Sequence, residues 1–161
     1  AAEQDAHKRG HISVPMINQN DQREFLSRSA IEATEQLGVK GIITDSETGQ
    51  TARNLAAFRG PHPVLAICYK DKVQRWLNLS YGVIAVYQHR HKSNEEMFTA
   101  ALRMLRQKGY IELEDKIAYL SGTFGNGGGT TFLEINKVGD VFARKYRFHL
   151  PEGVNTGEEE A

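Results

Sequence analysis

The run Gly41-Ile42-Ile43-Thr44-Asp45-Ser46-Glu47-Thr48-Gly49-Gln50-Thr51-Ala52-Arg53-Asn54-Leu55-Ala56-Ala57-Phe58 changes character along its length. It opens apolar and β-branched, passes through a polar turn from Asp45 to Thr48, and then places Ala52, Leu55 and Ala56 at helix-compatible spacing between Gly49 and Phe58. Strand, turn, helix is the simplest reading. The unit recurs downstream: Pro61 and Pro63 punctuate, Val64 to Cys68 is unbroken apolar, and Asp71 with Gln74 is expected to cap a helix through Leu77. Val83 to Tyr87 is a further apolar run. Ser93 with Glu96 opens a helix whose Met97, Phe98, Ala101, Leu102 and Leu105 form one face, closed by Gly109. Upstream, Asp21 with Glu24 starts an earlier helix in which Phe25, Leu26, Ser29, Ala30, Ala33, Thr34 and Leu37 recur until Gly38.

After Gly109 only strands are expected. Ile117 to Leu120 and Phe132 to Ile135 flank a glycine-rich turn and read as an antiparallel pair. Beyond them Phe142, Tyr146, Phe148 and Leu150 alternate with polar neighbours, which predicts an extra edge strand over 137–150. Short apolar strands without alternation are what a sheet covered on both faces requires, so the expected architecture is a three-layer α/β/α sandwich, mostly parallel. Residues 1–19 read as a linker or lead-in, 20–136 as the domain, and 151–161 as a flexible acidic tail.

Composition narrows the function classes. The 161 residues suit one domain, and 40% apolar with 25% charged residues supports a packed core under a solvated surface. Twenty basic side chains cancel twenty acidic ones, so no global field draws nucleic acid or an acidic membrane. Cys68 is the only cysteine, which excludes an internal disulfide and suits a reducing, cytoplasmic compartment. No apolar run approaches the ~20 residues of a membrane span. A chain opening on Ala1-Ala2 is expected to be a processed product or a piece of something longer.

Two segments draw attention as sites. Ser46-Glu47-Thr48-Gly49-Gln50-Thr51 lies where a parallel strand hands over to a helix, where unpaired N–H groups and hydroxyls can cradle a phosphate. Asp45 and Glu47 would oppose such an anion, and an ordinary N-capped helix explains the turn as well. Ser121-Gly122-Thr123-Phe124-Gly125-Asn126-Gly127-Gly128-Gly129-Thr130-Thr131 carries no lysine and precedes a strand, so it fails the tests for a Walker loop or a dinucleotide fingerprint. A close-approach turn between antiparallel strands remains. His89, Arg90 and His91 lack the partners of a metal site and fit an exposed linker; Cys68 fits a buried, inert thiol. Trp76 with Leu77 and Leu79 fits an apolar interface or the core equally. No paired acid and base stands out.

The same segments resemble the C-terminal domain of pyruvate kinase. The likeness runs through Gly41-Ile42-Ile43-Thr44, Ser46-Glu47-Thr48-Gly49-Gln50-Thr51-Ala52-Arg53, Phe58-Arg59-Gly60-Pro61-His62-Pro63-Val64, Arg75-Trp76-Leu77-Asn78-Leu79-Ser80-Tyr81-Gly82-Val83, Ser121-Gly122-Thr123 and Gly129-Thr130-Thr131. The resemblance implies a five-stranded mixed sheet, mostly parallel, with its last core strand antiparallel. It implies a glycolytic parent, a transferase moving a phosphoryl group from phosphoenolpyruvate to ADP with magnesium and potassium in a separate barrel domain. That barrel is the implied partner, and no barrel motif, catalytic residue or metal ligand can be placed on this chain. Within the family this domain looks regulatory and oligomeric, helping to build a tetramer and holding a sugar phosphate or nucleotide effector. The effector turn maps onto Ser46, Thr48, Gly49, Gln50 and Thr51, with Gly122, Gly125 and Gly127 in the turn that closes over it. Glu47 and Gln50 stand where members responsive to fructose 1,6-bisphosphate tend to be basic, so a weak or absent bisphosphate response is expected. Gly60 replaces a usual proline, Ala85 stands where proline is common, and 137–161 run past the family's usual end. The alternative reading is a freestanding pyruvate-kinase-like protein that senses a phosphorylated metabolite; a small phosphoester hydrolase is a weaker third.

Overall fold

The computed structural model describes residues 21–122 and 129–148. In chain order the elements are α1 (Gln22–Gln36), β1 (Gly41–Ser46), α2 (Gln50–Ala57), β2 (Val64–Cys68), α3 (Asp71–Leu77), β3 (Val83–Tyr87), α4 (Asn94–Gln107), β4 (Lys116–Ser121), β5 (Phe132–Lys137) and α5 (Val138–Phe148). The sheet order is β3-β2-β1-β4-β5, with β1 parallel to β2 and β4, β2 parallel to β3, and β4 antiparallel to β5. This is the expected five-stranded mixed sheet.

Each strand feeds two cores. Ile42, Val64, Ala66, Cys68, Ala85, Ala118 and Leu120 meet Ala30 and Ala33 of α1, Ala52 and Leu55 of α2 and Leu77 of α3. Ile43, Leu65, Ile67, Val86, Ile117 and Tyr119 meet Phe98, Ala101, Leu102 and Leu105 of α4 and Val138 and Val141 of α5. Successive side chains leave a strand on opposite faces, so a strand buried on both reads as unbroken apolar sequence.

The helix starts follow the sequence where a cap is available. Asp21 accepts from the backbone N–H groups of Arg23 at 2.9 Å and Glu24 at 3.4 Å, and Ser93 Oγ accepts from Glu96 N at 3.2 Å. Asp71 does not cap α3. The cap position is Lys70, and Asp71 is the first helical residue, where its charge favours the helix start and pairs with Arg75 four residues on at 2.7 Å.

The extra edge strand expected over 137–150 is corrected: Val138–Phe148 is helical. Val138, Val141 and Phe142 recur at helical spacing, and Val138 and Val141 are buried in the second core with Phe142 packed against it. Phe142 and Tyr146 are four residues apart, a spacing that suits a helix face as well as a strand. Burial of that stripe decides between them. The lead-in 1–19 and the tail 151–161 lie outside the described residues.

Candidate functional site

β1 and β4 are neighbours whose onward connections run in opposite directions, to β2 and to β5. Their carboxyl ends flank a topological switch point, where open α/β sheets form a crevice for ligands. The two segments singled out in the sequence both begin there. Thr51 Oγ1 and Thr130 Oγ1 lie 2.9 Å apart in a buried hydrogen bond joining residues 79 apart in sequence. That contact brings the β1–α2 turn against the β4–β5 turn.

The β1–α2 turn is locally fixed. Ser46 Oγ accepts from Gly49 N at 2.7 Å, and Thr48 Oγ1 accepts from Gln50 N at 3.4 Å. Gly49 has a φ of 81°, and a Cβ there would come within 3.0 Å of Leu77, so glycine meets both a conformational and a steric need. Ser46 and Thr51 are buried, whereas Thr48 and Gln50 are exposed. Ser46 Oγ is thus committed to the turn itself. Gly122 is bonded from α4 by Asn94 Nδ2 at 3.0 Å, and a Cβ on it would collide with the carbonyl oxygen of Gly129, so the two strands approach too closely for a side chain. Gly125 and Gly127 lie outside the described residues.

Glu47 behaves differently from the sequence expectation. Its carboxylate pairs with Arg90, and with Lys70 at 3.9 Å. The repulsion it would exert on an incoming anion is thereby offset, and two cations stand beside the turn. All three groups are half-exposed, so the pairs contribute little to stability.

Arg90 also reaches a second polar group, whose pairing no local run of residues signals. Asp45 accepts from Tyr69 Oη at 3.3 Å, and the Arg90 guanidinium sits 4.8 Å from the Tyr69 ring centroid. Burial pushes the Asp45 carboxyl above its ordinary value, opposed by hydrogen bonds with Ser121 and Tyr69 and by the charge of Arg90. The Tyr69 phenol is pushed up by burial first and the Asp45 charge second. Asp45, Ser121 and Tyr69 come from β1, β4 and the end of β2, so only their side-by-side pairing assembles the group.

Arg23 also escaped the sequence reading. Gln22 Nε2 donates to Thr131 O at 3.1 Å, and a Cβ on Gly129 would come within 3.0 Å of Arg23 Nη2. The first turn of α1 therefore puts a cation against the glycine-rich turn. Its approach joins residues more than a hundred positions apart, which no local pattern around Asp21 and Glu24 signals.

The remaining candidates fall as follows. His89, Arg90 and His91 are exposed, and no group of three or more His, Cys, Asp or Glu side chains is disposed to hold a metal among the described residues. Cys68 is buried, which pushes its thiol up to about 11. Trp76 is 45% exposed beneath the Arg53 guanidinium, 4.0 Å from its ring centroid, while Leu77 is wholly buried. No helix among the described residues is long and apolar enough to cross a membrane.

A mixed five-stranded sheet between helical layers, with two turns tied at its switch point, defines a three-layer α/β domain. Residues 24–136 match the family described as pyruvate kinase, alpha/beta domain, and the chain belongs to that family. It is 32% identical to a pyruvate kinase of Bacillus licheniformis over 121 residues, 75% of this chain and 21% of that protein. It is 34% identical to a pyruvate kinase of Borreliella burgdorferi over 122 residues, 74% of this chain and 26% of that protein. The structure of Cryptosporidium parvum pyruvate kinase in complex with ADP superposes with a TM-score of 0.68 at 26% identity, covering 84% of this chain and 26% of that one. The chain thus spans about a fifth to a quarter of the length of these relatives.

Proposed function

We propose that this chain is the C-terminal regulatory and oligomerisation domain of a pyruvate kinase, and that it is not catalytic by itself. The parent reaction is phosphoryl transfer from phosphoenolpyruvate to ADP in the cytoplasm, with magnesium and potassium held by the barrel domain. Such chemistry needs metal ions and a positioned acid or base. The share of the relatives' length that this chain spans supports assigning those groups to the rest of the parent.

The observation that carries the regulatory reading is the Thr51–Thr130 hydrogen bond at the switch point. A phosphorylated effector seated between these turns would meet the start of α2 and the Thr48 hydroxyl, with Arg23 beside Gly129 and Arg90 and Lys70 beside Glu47. In the unliganded domain Glu47 holds the two latter cations, as an internal anion competing with the effector. This reading keeps the expectation of a weak bisphosphate response and gives it a different cause. Competition for Arg90 and Lys70 limits affinity, with direct repulsion secondary.

Three measurements test it. The purified chain should show no turnover of phosphoenolpyruvate and ADP in a coupled assay, and turnover would refute the assignment of catalysis to a separate barrel domain. Calorimetric titration with fructose 1,6-bisphosphate and with nucleotides should give tighter binding to Glu47→Gln than to the parent sequence. Equal heats for both proteins would sink the competition, and no saturable heat with any phosphorylated ligand would sink the effector role. Sedimentation over a concentration series tests assembly, where a persistent monomer would count against the oligomerisation role.

A further inference from the structure

On the opposite side of the sheet from α1, α2 and α3 lies a groove of about 380 Å³ between α4, β4, β5 and α5. It is lined by no residue of the Ser46–Thr51 turn, and one wall, Val141 and Arg144, comes from the helix beyond the 24–136 family match. Its volume falls in the ordinary range for small-molecule sites, roughly 300–1,000 Å³.

The floor is aromatic. Phe98 and Tyr119 stack with centroids 4.0 Å apart and planes 7° from parallel, and Phe132 meets Tyr119 edge-on at 5.7 Å. The rim is charged. Arg144 is engaged on the β5 side, donating to Glu134 Oε1 at 3.1 Å and to Asn136 Oδ1, while Asn136 Nδ2 donates to the same Glu134 oxygen at 2.6 Å. Glu95, exposed in the first turn of α4, stands on the wall formed by that helix. Two carboxylates and one guanidinium leave the lining one unit negative: Glu95 and Glu134 against Arg144. Burial pushes the Tyr119 phenol up, so it remains neutral and leaves that sum unchanged.

We infer that this groove is a second ligand site, which takes a small organic cation joining an ammonium group to a planar apolar group. The planar part packs against the apolar surface that Phe98, Tyr119 and Phe132 contribute to the groove, and the ammonium meets Glu95, with Glu134 adding negative potential. An anion of the same shape finds Arg144 already bonded to Glu134 and Asn136 and meets the carboxylate of Glu95, which lines the groove. This inference is independent of the effector reading, because it shares no residue with the Ser46–Thr51 turn.

The test is titration of the 161-residue chain with 2-phenylethylammonium, 2-phenylethanol and phenylacetate, followed by two-dimensional amide NMR. The ammonium should bind saturably, more tightly than the alcohol, with phenylacetate weakest and with shifts confined to α4, β4, β5 and α5. Glu95→Gln should weaken ammonium binding about two- to five-fold, the size of one exposed charge contact. Glu95→Arg makes the lining one unit positive and should reverse the order of ammonium and phenylacetate. Arg144→Ala should tighten the ammonium. Both Glu95 and Arg144 are exposed, so these variants should keep the fold, as unchanged amide spectra away from the groove would show. Tighter phenylacetate binding to the parent sequence, no saturable ammonium binding, or an order indifferent to Glu95→Arg would overturn the inference.

Discussion

The two faces of the sheet are covered by the same kind of element with opposite results. Facing α1, α2 and α3, the core is rich in alanine: Ala30, Ala33, Ala52, Ala66, Ala85 and Ala118. Small side chains let helices settle close to the strands, and the pocket found beside that layer, near Gly60 and Tyr81, measures only about 30 Å³. Facing α4 and α5 the side chains are larger, with Phe98, Tyr119, Phe132, Leu102 and Leu105, and α5 closes only part of the distance, leaving the 380 Å³ groove. The alanine-rich layer borders the smaller of these two pockets and the aromatic-rich layer the larger.

The comparison is broken most directly by enlarging one residue on each face. Ala66→Leu, at a wholly buried position in the tight layer, should destabilise by about 3 kcal/mol, read from the urea midpoint. A loss below about 0.5 kcal/mol would show that this layer has room to yield. Val141→Leu, on the wall of the groove, should cost less than about 1 kcal/mol, because the added methylene has space to enter. Equal costs for the two would erase the distinction.

Between these lies the tie across the switch point. Thr51→Val leaves the buried Thr130 hydroxyl without its partner and should cost about 1–2 kcal/mol, with Thr130→Val equivalent and the double variant less than additive. Full additivity would mean that the two hydroxyls contribute separately.

The smallest effect concerns pH. Asp45, on the α4 side of β1, has its carboxyl raised above the ordinary 3.8 by burial, so the folded chain holds this proton more firmly than the unfolded chain. Stability from that proton is therefore complete below the ordinary value and is lost as pH rises through the folded one. Asp45→Asn removes the loss, and its stability relative to the parent should grow as pH rises from the ordinary 3.8 toward neutrality. A difference that shrinks over that interval would show Asp45 ionised and well satisfied, with its carboxyl lowered.

Much of the architecture was legible because it rests on local signals. Val64–Cys68 is buried at every position, as its unbroken apolar run requires, and Asp21 and Ser93 cap the helices they precede. The segment after β5 was misread because Phe142 and Tyr146 satisfy strand and helix spacing alike. The turn at Ser46–Thr51 was legible, as was the placing of Gly122 and Thr130 between β4 and β5. The Thr51–Thr130 contact, the Glu47–Arg90 pair and the approach of Arg23 to Gly129 were not, since each joins residues far apart in the chain.

The sequence alone determined which segments are strands buried on both faces and where the capped helices begin, because periodicity and capping act over a few neighbouring residues. It also carried the family likeness. Only the tertiary structure decided that α5 is a helix, that Glu47 faces cations, that Asp45 meets Tyr69, and that one helical layer seals while the other leaves a groove. Those outcomes depend on which side chains are brought together by strand order and helix packing, and no local run of residues encodes such distances.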